Sequence, residues 1–177
     1  MHDITVSKRL SYVLRHRPDS IGLTLTPDGW TTVDALLAAL AAHGTVLDRA
    51  RLAHVVATND KQRFHLDGDR IRAHQGHSVP VDLALPPVPP PDALYHGTAA
   101  RHLRSIRGAG LRRGRRHHVH LSADSATARR VGARHGVPVV LRVDAAAMAA
   151  AGHVFHRSAN GVWLTDAVPP TYLRRTT

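Results

Sequence analysis

The sequence predicts an α+β protein built in two lobes, and three observations carry that reading. A proline-rich break, "LPPVPPPDA" at residues 85–93, divides the 177 residues. The stretch before it shows helical periodicity and then a hairpin signal. The stretch after it alternates short apolar strands with helices rich in alanine and arginine. Clustered prolines are stiff and extended, so the expected lobes are 1–84 and 94–177, with 85–93 as linker.

The first lobe reads as short helices and a wing. In "SKRLSYVLRHRP", Leu10, Val13 and Leu14 follow the three-four spacing of a helix. Ser7 is its expected N-cap and Pro18 stops it. "TPDGW" is a turn. Thr31 with Asp34 resembles a capping box ahead of "ALLAALAAHG", which Gly44 ends. Asp48 caps a third helix through "RARLAHVVAT". "KQRFHL" and "RIRAH" then flank Asp67-Gly68, a strong hairpin signal. Three helices and a two-stranded wing make a winged-helix pattern.

The second lobe alternates. "ALYHGT", "HHVHLS", "PVVLRVD", "HVFHRS" and "GVWLTD" read as strands. "ARHLRSIRGAG", "ADSATARRVGARHG" and "AAAMAAAG" read as helices. The lobe is too short for a doubly wound dinucleotide fold, and it has no G-x-G-x-x-G fingerprint.

Composition narrows the chemistry. The formal net charge is +11, and the only lysines are Lys8 and Lys61, so nearly every cation is Arg. Arg binds phosphate through paired hydrogen bonds, which points to nucleic acid or a phosphorylated ligand ahead of membrane. All 13 acids are Asp, so a catalytic glutamate is excluded. With no Cys, disulfides, thiolate chemistry and Cys-based zinc sites are absent. No apolar run has the length of a membrane span and the polar start is no signal peptide, so the expectation is a cytoplasmic protein.

Five stretches stand out. "LRHRP" packs Arg15, His16 and Arg17 at a helix end, where cations meet the dipole favourably but repel one another. In "KQRFHL", Arg63 and His65 share the outward face of a strand, as a solvent-facing wing or as a cation aimed at phosphate. "RRGRRHHVHLS" is the densest basic run, a solvated or RNA-binding loop that feeds a strand with His118, His120 and Ser122 on one face. "LYHGT" puts His96, Gly97 and Thr98 at a strand end, either a plain turn or a close backbone approach to a ligand. "SANGVWLTDAVP" is an Asn-Gly turn leading to a core Trp163.

In this order, "SKRLSYVLRHRP", "GW", "KQRFHL", "LYHGT", "GL…RRHHVHLS" and "NGVWLTDAVP" resemble the tRNA 2′-phosphotransferases, which remove an RNA 2′-phosphate at the expense of NAD. The resemblance implies a winged-helix, RNA-binding first lobe and an ADP-ribosyltransferase-like, NAD-binding second lobe. It implies a catalytic set of Arg15, His16, Arg63 and Arg116. It places NAD, as co-substrate, against His96, Gly97, Thr98, His120, Ser122, Gly161 and Val162. Val162 stands where related transferases outside the family carry a glutamate. Lys8, Lys61 and Arg115 are the expected RNA contacts, Arg115 being also the neighbouring candidate for the fourth catalytic position. The partners implied are NAD and an RNA carrying a 2′-phosphate, such as a tRNA splicing intermediate. No metal is expected, and a monomer is. Two other readings stay open: an ADP-ribosyltransferase acting on nucleic-acid ends or protein, and a non-catalytic winged-helix nucleic-acid-binding protein.

Overall fold

The computed structural model describes residues 2–176. It has mixed α and β content and divides into two compact units, residues 1–84 and 85–177.

The first unit begins with α1 (Asp3–Arg15). The helix starts four residues before the expected cap, for two reasons. Val6 extends the buried stripe to Val6, Leu10, Val13 and Leu14, each fully buried. Asp3 meets the N-terminal dipole and is tied down by Arg51 and by His54, 3.4 Å away. Ser7 is therefore not a cap but a buried residue inside the helix. A single 3₁₀ turn, Pro18–Ile21, follows.

β1 (Thr31–Thr32) leads into α2 (Val33–Ala42). The cap falls one residue later than expected: the Thr32 side chain accepts from the Ala35 amide at 3.1 Å. α3 (Arg49–Ala57) is capped by Asp48, which accepts from the Arg51 amide at 2.6 Å. β2 (Phe64–Asp67) and β3 (Arg70–Ala73) form the hairpin, with Asp67 opposite Arg70. The turn residues are thus Gly68 and Asp69, one step beyond the expected pair. Gly68 takes φ +58°, which suits glycine at the first position of a tight hairpin turn. β1 pairs with β3, so the sheet has three strands in the order β1-β3-β2. Leu36, Leu40, Leu52, Phe64 and Ile71 close the core against α1. Each such side chain stabilises the fold by about 1.5–3 kcal/mol on burial.

The second unit is built on β4 (Ala93–Ala99). After it come α4 (Leu103–Ala109), β5 (Leu111–Arg112), β6 (Val119–Leu121), α5 (Ser125–Gly132), β7 (Pro138–Asp144) and α6 (Ala145–Ala150). β8 (His156–Arg157), β9 (Trp163–Thr165), β10 (Ala167–Val168) and β11 (Leu173–Arg175) complete it. Two three-stranded sheets, β11-β7-β4 and β6-β9-β8, adjoin through a Tyr95–Ser122 bridge, and β10 pairs with β5. The "HVFHRS" strand shrinks to two residues. β5, β10 and β11 have too few residues to show a period, and the sequence did not reveal them.

Residues 86–88 are not a loose spacer. Pro87 bridges His156, the Val88 amide donates to the Phe155 carbonyl at 2.8 Å, and the Pro86 carbonyl lies 3.1 Å from His156 Nδ1. β8 is an edge strand, the place where a sheet tolerates proline. No helix among the described residues is long and apolar enough to cross a membrane.

Candidate functional site

The first unit gathers a cationic cluster at the end of α1. Arg15 is the last residue of that helix and is only 7% exposed. Its Nη2 donates to the Arg63 carbonyl at 3.4 Å. Arg63 stands just before β2, and its Nη1 approaches Ser7 Oγ at 3.3 Å and Asn59 Oδ1 at 3.5 Å. Asn59 in turn donates to Ser7 Oγ at 2.7 Å. The buried Ser7 and the half-buried Asn59 thus orient Arg63, a role that sequence reading missed because serine before an apolar stripe looks like a cap.

The irregular segment after β3 closes the cluster. Nδ1 of His16 lies 2.9 Å from Ser78 Oγ, and the Ser78 amide donates to the Arg15 carbonyl at 2.9 Å. Gly76, at φ +89°, lies against the Arg15 guanidinium; a side chain there would meet Nη1 at 3.6 Å. The His74 amide donates to the Arg63 carbonyl at 2.9 Å. Burial foremost, and then the charges of His65, Arg72 and Arg15, hold His74 below its ordinary pKa. Cations gathered this closely repel one another, and an anion placed among them relieves the repulsion. Lys8 and Lys61 are exposed, Lys61 lying 3.8 Å from the Asp60 carboxylate.

In the second unit the histidines of β4 and β6 form a chain. Nη1 of Arg116 lies 3.3 Å from Nδ1 of His120. A guanidinium only donates, so Nδ1 accepts and a neutral His120 carries its proton on Nε2. The His120 carbonyl lies 3.1 Å from Nδ1 of His96. A carbonyl only accepts, so His96 holds its proton on Nδ1. Burial is the main cause that lowers the His96 pKa from its ordinary 6.5, with His135 adding to it and the His120 carbonyl opposing. Arg116 is an exposed residue, yet neighbouring protein desolvates its head and lowers its pKa. Arg115 is exposed.

His96 and Thr98 lie two apart on β4, on one face, and line a cleft of about 520 Å³. His102, Ser105, Ile106, Leu111 and Arg112 line it too. Arg112 opens the basic run noted above; the others, from the turn at His102, the exposed α4 and the short β5, carry no functional signal in the sequence. Gly97 faces the other way. A Cβ there would stand 1.6 Å from the Ala128 carbonyl, so this glycine lets α5 approach the strand closely. Gly132 of α5 repeats the pattern, 2.7 Å from the Thr98 carbonyl by the same construction.

Ser122 and Val162 flank the Leu121–Trp163 pair of β6 and β9. Val162 closes a turn around Ser158, a buried residue that the sequence did not flag. The Val162 amide donates to Ser158 Oγ at 3.2 Å, and the Gly161 amide donates to the Ser158 carbonyl at 2.9 Å. Gly161, at φ +80°, makes that turn possible. His118 lies 4.0 Å from Asp166 and 5.7 Å, ring to ring, from His156. Among the described residues no three His or Asp side chains are grouped to hold a metal ion.

Taken together, the chain is a mixed α and β protein with two Arg/His clusters suited to anionic ligands, one in each unit. The description "RNA 2'-phosphotransferase, Tpt1 / KptA family" matches residues 1–167, and the chain belongs to that family. A probable RNA 2'-phosphotransferase of Streptomyces coelicolor is 63% identical over 171 residues, 97% of this chain and 94% of the relative. One of Pseudomonas aeruginosa is 58% identical, covering 95% and 94%. One of Nostoc punctiforme is 55% identical, covering 97% and 96%.

Proposed function

We propose that this protein removes a 2′-phosphate from RNA and consumes NAD as the second substrate. Family membership supports the reaction class. The observation that carries the site is the Arg15–Arg63 cluster with His16 beside it, held together by Ser7, Asn59 and Ser78. The helix and hairpin order of the first unit supports a winged-helix reading. The sheets of the second unit support an ADP-ribosyltransferase-like one.

The second unit's donor set fits a dinucleotide. His96, Thr98, His102 and Ser105 offer hydrogen bonds, Arg112 offers charge for phosphates, and Ile106 and Leu111 offer apolar surface. The cleft volume falls in the ordinary range for small-molecule sites.

The composition suits the chemistry. A phosphate monoester is already anionic, so it needs no base to become a nucleophile. In the first step its oxygen bonds to the anomeric carbon of the nicotinamide ribose, and neutral nicotinamide leaves. In the second step the neighbouring ribose 2″-hydroxyl gives its proton to solvent and bonds to phosphorus, and the bond from phosphorus to the RNA 2′-oxygen breaks, that oxygen leaving with a proton. The products are 2′-hydroxyl RNA and ADP-ribose 1″,2″-cyclic phosphate. Arg15 and Arg63 position the phosphate and stabilise the charge around phosphorus, and Arg116 is a further candidate cation for either step. His16 is the acid toward the leaving oxygen. No glutamate is needed, and none is present.

The test is product analysis with a 2′-phosphorylated oligonucleotide. The phosphate is expected to leave only when NAD is present, with one nicotinamide released per RNA. Phosphate loss without NAD sinks this reading, and so does a stable ADP-ribosylated RNA as the end product.

A further inference from the structure

We infer that Ser78 is the positioning residue of His16, and that its hydroxyl sets the ring in the orientation used to protonate the leaving RNA oxygen. The inference rests on the function proposed above.

Two bonds from one residue reach two adjacent members of the cluster. The Ser78 amide donates to the Arg15 carbonyl at 2.9 Å, and the Ser78 hydroxyl meets Nδ1 of His16, also at 2.9 Å. His16 sits at the C-cap of α1, beyond the regular helix, with φ −124° and ψ −44°. The Ser78 hydroxyl is a partner that can hold its ring. With Nδ1 engaged by Ser78, the proposal assigns Nε2 to the substrate.

The segment that carries Ser78 is itself anchored. Gly76 lies against the Arg15 side chain. His77 is 2% exposed, and its Nε2 would stand 3.5 Å from a Cβ at Gly29 in the "TPDGW" turn. The Asp82 amide donates to the Pro27 carbonyl at 2.8 Å. Residues 75–82 thus form a strap from that turn to the end of α1. This gives the glycine and the turn before Trp30 a role in the site without any contact to substrate.

The side chain and the backbone of Ser78 can be separated. Ser78→Ala keeps the bond to the Arg15 carbonyl and deletes only the bond to His16. The variant should slow the second step on the order of tenfold or more, the scale for losing a bond that orients a functional imidazole. The first step should hardly change, so RNA-2′-phospho-ADP-ribose should accumulate in a rapid-quench time course. Ser78→Thr should restore the second step, whereas Ser78→Val, of the same shape, should not. That pair keeps the test valid even if alanine disturbs folding. Ring ¹⁵N resonances of His16, identified by their loss in His16→Asn, should shift in Ser78→Ala and not in Ser78→Thr. Unchanged His16 resonances in Ser78→Ala overturn the inference, as does equal slowing of both steps. If the wild-type protein does not act on 2′-phosphorylated RNA with NAD, the proposed function fails, and the ring resonances alone still decide whether Ser78 positions His16.

Discussion

Arg116 Nη1 and His120 Nδ1 stand 3.3 Å apart, so the guanidinium fixes which nitrogen of the imidazole holds the proton. The His120 backbone then fixes the proton of His96. Two side chains that the sequence could only place near one another along the chain are therefore one hydrogen-bonded unit.

From that unit comes the first prediction. Arg116→Ala and His120→Ala should have less-than-additive effects on kcat/KM, with a coupling of about 0.5–3 kcal/mol, the range for residues in one network. Steady-state kinetics of both single variants and the double variant measure it. Strict additivity would show that the two act apart.

On the proposed mechanism, Arg63 should separate the two chemical steps. The first needs the phosphate held in place, whereas the second also needs stabilisation at phosphorus. Arg63→Ala should therefore accumulate RNA-2′-phospho-ADP-ribose. An arginine has no proton to give at neutral pH, so the variant removes charge stabilisation without touching acid catalysis. Rapid-quench sampling that finds no adduct, with substrate loss and product formation slowed equally, assigns Arg63 to binding or to the first step.

Stability should fall on the acid side. His74, His96 and His118 each have a pKa lowered mainly by burial. A group whose folded pKa is depressed binds its proton more tightly when unfolded. The stability it contributes is complete above the unfolded value of about 6.5 and is lost as pH falls toward and through the folded value. Urea midpoints measured between pH 8 and pH 5 should decline below about pH 6.5. His96→Gln should flatten part of that decline; an unchanged profile would show that His96 is not among its causes.

Salt should weaken RNA binding more than NAD binding, because RNA affinity draws on released counterions. Lys8→Ala and Lys61→Ala should each lower the slope of log affinity against log salt by about 0.7, the value for one contact to a single strand. Fluorescence anisotropy across a salt series measures it. An unchanged slope removes that lysine from the RNA footprint.

Chelation should leave turnover intact, since the proposed steps run on guanidinium and imidazole groups. Loss of activity on exhaustive dialysis against EDTA, restored by zinc, would show that the histidines of the second unit serve a metal.

Much of this architecture was legible because it obeys local rules. Asp48 capping α3, the hairpin after Phe64 and the apolar stripe of α1 each depend on residues a few positions apart. The departures came where distant contacts decide. α1 starts at Asp3 because Arg51 and His54, far along the chain, hold that carboxylate. Ser7 sits inside the helix because Asn59 and Arg63 use its hydroxyl. Arg15, His16 and Arg63 were legible as candidates from charge crowding and from the family pattern. Ser78 was not, because residues 74–82 have neither period nor charge run to mark them.

Gly97 carries a lesson about how damage would be read in this protein. The strand that bears His96 and Thr98 has α5 resting directly on its backbone, with no side chain between them. The site and the helix behind it therefore lack slack. A bulky replacement at Gly97 or Gly132 would push the strand from its far side and misplace both side chains without touching either. In a screen for inactive variants, such positions would score like residues of the proposed NAD cleft, and a map drawn from activity alone would put that cleft on the far face of the sheet.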